Sequence, residues 1–157
     1  MGVQNQIISK YGLPSADYRS KYCEIWDIYS DFPWTYDIKV GTTQIPWKKV
    51  YINKEFKVKL ISAFKKIEEL GLQSEIKTYN GCYVERKIRG GNAISLHSWA
   101  MAIDFNSNTE QLNQKKQGKF FSNFSPEFIK CFTDAGIYWG GNWQRRFDPM
   151  HFALYNG

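Results

Sequence analysis

Asn53-Lys-Glu-Phe-Lys-Val-Lys-Leu-Ile-Ser-Ala-Phe-Lys-Lys-Ile-Glu-Glu-Leu-Gly71 is the stretch from which the fold class is read. Phe56, Leu60, Phe64 and Ile67 recur at spacings of four, four and three, which puts them on one helical face. Lys57, Lys59, Lys65, Glu68 and Glu69 occupy the remainder. Asn53 suits an N-cap, because its short amide side chain can accept from a free first-turn amide. Gly71 suits the left-handed stop that other residues resist. The pattern predicts a core-packing helix over 54–70 with no chemistry of its own.

Working outward toward the C-terminus, a strand is expected over 74–79 and a glycine-punctuated loop over 80–92. A second strand is expected over Met101–Phe105. Pro126 behind Ser125 opens a helix to about Ala135, which Gly136 ends. Ile137–Trp139 and His151–Tyr155 read as short strands. Toward the N-terminus, residues 1–12 offer a short helix ended by Gly12 and Pro14, and Tyr22–Tyr29 a strand. Pro33, Gly41 and Pro46 mark 30–47 as irregular. Helices and strands interleave without a regular βαβ beat. The class is therefore α+β, a single compact domain with a small antiparallel sheet and flanking helices.

The chain has 157 residues, 43% hydrophobic and 17% aromatic, enough to fold around a core. Its formal charge of +6 favours polyanionic surroundings. The Lys and Arg are scattered in pairs, with no block of five like charges and no nucleic-acid module signature, so nucleic-acid binding is not expected. Three cysteines, Cys23, Cys82 and Cys131, are odd in number and lack a CxxC pair, which argues against a disulfide scaffold. The opening MGVQNQIISKYGLPS lacks the basic and apolar regions of a secretory signal, and no apolar run is long enough to span a bilayer. Cytoplasmic synthesis without membrane insertion is the expectation, with a monomer favoured.

The chemistry concentrates around the only two histidines. One lies in Ser95-Leu96-His97-Ser98-Trp99-Ala100-Met101-Ala102-Ile103-Asp104, the other in Asp148-Pro149-Met150-His151-Phe152. Two imidazoles and a carboxylate suit a tetrahedral zinc with its fourth position left to water. His97 before a turn and Asp104 in the following strand can face one ion. His151 completes the set if the last strand neighbours 101–105. Asp148, just before His151, is placed to act on water as a general base. The competing reading is two satisfied structural histidines, and spacing alone does not separate the two.

Ser95, His97, Ala102 and Asp104, followed by Asp148, His151 and Phe152, resemble the signature of the zinc D-alanyl-D-alanine carboxypeptidase and L-alanyl-D-glutamate endopeptidase family. That family includes VanY-type carboxypeptidases and phage endolysins. Gly81-Cys82-Tyr83 with Arg86 and Gly90, and Trp139-Gly140-Gly141 with Trp143, resemble its phage-type branch. The resemblance runs from about residue 54 to the end. It implies a hedgehog/DD-peptidase-like fold, with 54–157 as catalytic core and 1–50 as a packing segment. It implies one Zn2+ per chain on His97, Asp104 and His151, with Asp148 as general base. Arg86, or Arg89 in its stead, would steady a substrate carboxylate or the developing oxyanion. Ser95 would orient the metal loop or the substrate, and Trp139, with Tyr138 and Trp143, would wall the cleft. The implied substrate is the peptidoglycan stem peptide, cut at L-Ala–D-Glu or trimmed of terminal D-Ala, after holin-assisted release or carriage in a virion.

Two positions depart from the family pattern. Ala100 stands where Gly is usual, and a positive φ there would strain it. Ala153 stands where an acidic residue often follows His-Phe. Ala100 keeps a non-catalytic, zinc-containing wall-binding module in view as an alternative. A cysteine peptidase built on Cys82 is a further one, though no helix start is evident to lower its pKa.

Overall fold

The computed structural model describes residues 2–89 and 91–157, so Gly90, one of the positions carrying the resemblance, lies outside the described residues. The elements in chain order are α1 (Val3–Tyr11), α2 (Ala16–Tyr22), β1 (Cys23–Trp26), α3 (Ile28–Asp31), β2 (Lys39–Val40), β3 (Val50–Asn53) and α4 (Lys54–Leu70). They continue with β4 (Thr78–Tyr79), β5 (Ala102–Asp104), β6 (Lys115–Lys116), β7 (Lys119–Phe120), α5 (Pro126–Thr133), β8 (Tyr138–Trp139) and β9 (His151–Ala153). The class is α+β.

α4 forms where its caps and periodicity place it. Asn53 Oδ1 accepts from the Phe56 amide at 2.9 Å, and Gly71 takes φ 70°, ψ 31° to end the helix. Phe56, Leu60, Phe64 and Ile67 are all fully buried. Each such side chain contributes about 1.5–3 kcal/mol by leaving water. α5 starts as expected, with Pro126 in its first turn and Ser125 Oγ accepting from the Phe128 amide at 3.1 Å. Its Phe132 ring lies 4.2 Å from that of Phe152 on β9, so the two helices and the sheet share one aromatic core with Phe64 and Phe105.

The sheet that matters for the site has the order β5-β9-β8, antiparallel throughout. It is the small antiparallel sheet expected from sequence; beside it, among the described residues, β1 pairs antiparallel with β3 and β6 with β7, while β2 and β4 pair in parallel. The strand expected over 74–79 shrinks to Thr78–Tyr79, because 73–75 turns as a 3-10 helix. That turn aims Glu75 at Ser125, whose amide and hydroxyl both donate to it (2.7 and 2.5 Å), tying α5 in place. The strand expected over 22–29 stops at Trp26, since Ile28–Asp31 winds into a helical turn and Trp26 Nε1 donates to Asp31 at 2.7 Å. No helix among the described residues is long and apolar enough to cross a membrane.

Candidate metal centre

Three chain segments converge on His97, Asp104 and His151. The first is a 3-10 turn, Leu96–Trp99, capped by Ser95: its hydroxyl accepts from the His97 amide at 3.3 Å, and its carbonyl accepts from Ser98 at 2.9 Å. Ala100 closes this turn in the left-handed region, φ 54°, ψ 34°, with its amide on the His97 carbonyl at 3.0 Å. An L-residue there costs about 1–2 kcal/mol, which the surrounding bonds hold in place. The Ala100 carbonyl accepts from Asn53 N at 3.0 Å, and the Trp99 carbonyl accepts from Tyr18 Oη at 2.7 Å. Asn53 Nδ2 in turn donates to Tyr18 Oη at 2.9 Å, and Trp99 Nε1 donates to Gly12 O at 3.0 Å. The N-terminal segment thus bolts down the turn that carries His97.

The second and third segments are β5 and β9, whose register sets Asp104 directly opposite His151. His151 N donates to Asp148 O at 3.1 Å, and Asp148 N donates to Gly140 O at 3.0 Å, so the turn before β9 is closed tightly. Gly140 has no room for a side chain: a Cβ there would collide with the Asp148 carbonyl and stand 3.1 Å from His151 Cβ.

His97, Asp104 and His151 are all buried, and one ligand atom from each lies within 4.8 Å of the others. His97 Nε2 is 3.3 Å from Asp104 Oδ2, and His151 Nδ1 is 3.4 Å from Asp104 Oδ1. Both are longer than the ~2.7–2.9 Å of a good charge-assisted hydrogen bond. His97 Nδ1 lies 2.9 Å from the Cys82 carbonyl. A carbonyl only accepts, so Nδ1 carries the proton, and neutral His97 turns a lone pair toward a carboxylate. Two acceptors facing each other need a proton or a cation between them. Among the described residues, no hydrogen bond reaches the buried His97 Nε2, Asp104 Oδ1, His151 Nε2 or Asp148 Oδ1. Each such orphan costs about 1–3 kcal/mol, and four at one point call for an occupant. Two nitrogens and a carboxylate fit zinc, and the cleft beside them leaves a position open.

Electrostatics agree in direction. Burial would raise Asp104, but His97 and His151 outweigh it and hold the carboxyl well below the usual range. Burial would lower His97, but Asp104 outweighs it and the imidazole is raised. Asp148 is raised above 3.8 by burial and by the Asp104 charge, against the pull of His151 and Arg146. Arg86 is lowered by burial and by Arg89.

An open cleft runs over the cluster. Its wall includes Arg86, Arg89, Ser95, Arg146 and Asp148, so the site residues expected from sequence are brought to it except the aromatic ones, Trp139, Tyr138 and Trp143. Trp139 packs instead over Gly141 and donates its Nε1 to Pro149 O at 2.7 Å, supporting the turn from behind. Tyr138 is exposed away from it. Trp143 is the aromatic at the metal cluster, with its ring 5.0 Å from His151.

Cys82 cannot serve as a nucleophile. It is buried, its thiol lies 3.6 Å from Ala100 O, and burial pushes its pKa well up. Its contribution is the carbonyl that fixes the His97 tautomer. All three cysteines are free.

Sequence reasoning passed over Ser98, whose hydroxyl accepts from Arg86 N and donates to Arg86 O, both at 3.1 Å, pinning the Arg86 loop beside His97. It also passed over Tyr18, Gly140 and Arg146. Only Gly140 left a signal, in the Trp139-Gly140-Gly141 motif.

No curated protein and no solved structure matches the chain. Residues 89–154, the stretch bearing His97, Asp104, Asp148 and His151, match a family model described as D-alanyl-D-alanine carboxypeptidase, which supports the family that the two histidine motifs resemble.

Proposed function

We propose that this chain is a zinc-dependent peptidoglycan peptidase that hydrolyses the L-Ala–D-Glu bond of the stem peptide. The observation that carries the reading is the convergence of His97, Asp104 and His151, with unpaired buried atoms, at the floor of a cleft that Asp148 borders. The family match supports a peptidase of the D-alanyl-D-alanine carboxypeptidase type. Resemblance of the Gly81–Arg86 and Trp139–Trp143 stretches to the phage-type branch supports the endopeptidase. Zinc held by these three residues would supply Lewis-acid activation of water and of the scissile carbonyl.

The remaining work falls to the chain's own groups. Asp148 takes the proton of the attacking water and returns it to the leaving amine, a role suited to a carboxyl that burial raises above its ordinary value. Arg86, held by Ser98, balances the charge that develops on the carbonyl oxygen or anchors a substrate carboxylate. Ser95 keeps the His97 turn in register. Delivery to the wall by holin-assisted release or within a virion belongs to the same proposal.

The description of the matched family favours a second reading, a D,D-carboxypeptidase trimming terminal D-Ala. Mass spectrometry of digested peptidoglycan distinguishes them. New N-terminal D-Glu supports the endopeptidase, free D-Ala transfers the assignment to the carboxypeptidase, and neither product sinks both.

A further inference from the structure

Arg146 borders the cleft from the segment that precedes His151, whereas Arg86 and Arg89 border it from the loop that precedes His97. Arg146 is half-buried and its guanidinium lies 4.8 Å from the centre of the Trp143 ring, which itself leans on His151. Stacking of this kind fixes a guanidinium by its face and leaves its N–H edges free. No hydrogen bond or ion pair among the described residues engages those edges, and the same is true of Arg89. The side-chain carboxylates of the wall, Asp104 and Asp148, are committed to the candidate metal ligands or to the proton, and the terminal carboxylate of Gly157 at the rim forms no ion pair with Arg146. Arg86, Arg89 and Arg146 thus bring three guanidiniums to one cleft, and a bound metal ion would add further positive charge.

A peptide cleft that holds cations without internal partners is complementary to an anionic peptide. We infer that Arg146, pre-oriented on Trp143, is a specificity-determining residue that binds a second substrate carboxylate, distinct from the group met by Arg86. The chain thus selects stem peptides carrying two free carboxylates over forms in which one is amidated. The inference rests on the reading of the cleft as a stem-peptide site.

The probe is the stem tetrapeptide L-Ala-D-Glu-L-Lys-D-Ala, together with two versions amidated singly at the D-Glu or the terminal carboxylate. Calorimetric affinity and cleavage are measured separately on the zinc-loaded wild-type chain, Arg146→Gln and Arg146→Lys. The expected result is that one amidation weakens wild-type binding about ten- to a hundredfold, the usual worth of a charge-assisted bond. Arg146→Gln should weaken the free peptide by the same factor, add nothing to the loss for that amidated form, and, at a pH above the acid limb of the rate profile, raise KM rather than lower kcat. Arg146→Lys should recover only part of the affinity, since an ammonium lacks the planar fork. Equal weakening of all three peptides in Arg146→Gln, no weakening of any, or no wild-type binding overturns the inference. The affinity pattern without turnover would remove the hydrolase reading and leave the carboxylate selection standing.

Discussion

Replacing Gly140 by alanine adds one methyl where the structure has no space for it. The new Cβ would press on the Asp148 carbonyl at a separation real Cβ atoms essentially never show, with Asp148 Cβ at 3.2 Å and His151 Cβ at 3.1 Å. The obstacle is backbone, so it cannot rotate away as a long side chain would. To restore ordinary contact, the Asp148–His151 turn must retreat by roughly 1 Å. Overpacking of this kind costs about 1–3 kcal/mol. For a chain of this size that lowers Tm by roughly 2–12 °C. The functional cost is larger than the thermal one, because the same retreat carries Asp148 and His151, the proposed general base and metal ligand, out of alignment. A displacement of ~1 Å costs about a hundredfold in rate. Peptidoglycan turnover, zinc affinity and a thermal melt should therefore all fall in Gly140→Ala. Gly91→Ala is the control, since its Cβ would meet only Ile88 atoms at 3.8–4.0 Å, an ordinary contact. A Gly140→Ala protein with unchanged Tm and turnover within threefold of the parent would refute the reasoning.

Three further expectations follow from the site. Asp148→Asn should retain zinc and lose about 10²–10⁴ in rate. It should also be at least as stable as the parent at neutral pH: the folded pKa of Asp148 lies above its ordinary 3.8, so above that range ionisation opposes folding, and a melt showing clear destabilisation would contradict this. For the same reason, the acid limb of the pH–rate profile should lie above pH 3.8, the rate falling as pH drops through the raised value. Arg146→Gln, which removes a charge that lowers Asp148, should move that limb to higher pH, and a limb that stays put or shifts down would count against the assignment of base. Thiol reagents should leave turnover intact while the protein is folded, because Cys82 is buried with its thiol pKa pushed up; inactivation matched to Cys82 labelling would revive the cysteine mechanism.

How much of this was legible in the sequence depended on how locally each feature is encoded. α4 was readable because its cap, stop and apolar stripe are all local signals, and α5 because Ser125-Pro126 is one. The convergence of His97, Asp104 and His151 was legible as an expectation, since two short motifs carried it and only the β5–β9 pairing had to be assumed. β2, β4, β6, β7 and β8 are two residues long, too short to leave an alternating pattern, and the β2–β4 pairing rests on contacts distant in sequence. Glu75 ended an apparent strand because its carboxylate is spent on Ser125, fifty residues away. Trp139 and Trp143 look alike in sequence, and which of them faces the metal cluster is set by how the Gly140–Gly141 turn folds beneath Trp139. Ala100 is the converse case. Its departure from the family glycine was visible, and the positive φ that makes it matter was then found. The N-terminal segment offered no motif, because its service to the site is through Tyr18 Oη and the Gly12 carbonyl, groups any helix-and-turn segment can present.

Metal dependence tests the central claim most directly. Zinc content is measured on the purified chain, and peptidoglycan cleavage is then followed in the native, chelator-stripped and zinc-restored protein. The account predicts one zinc ion per chain, lost together with His97→Ala or His151→Ala, with cleavage abolished by stripping and restored by zinc. Full cleavage by the stripped protein, or bound zinc with no cleavage in any state, would contradict it.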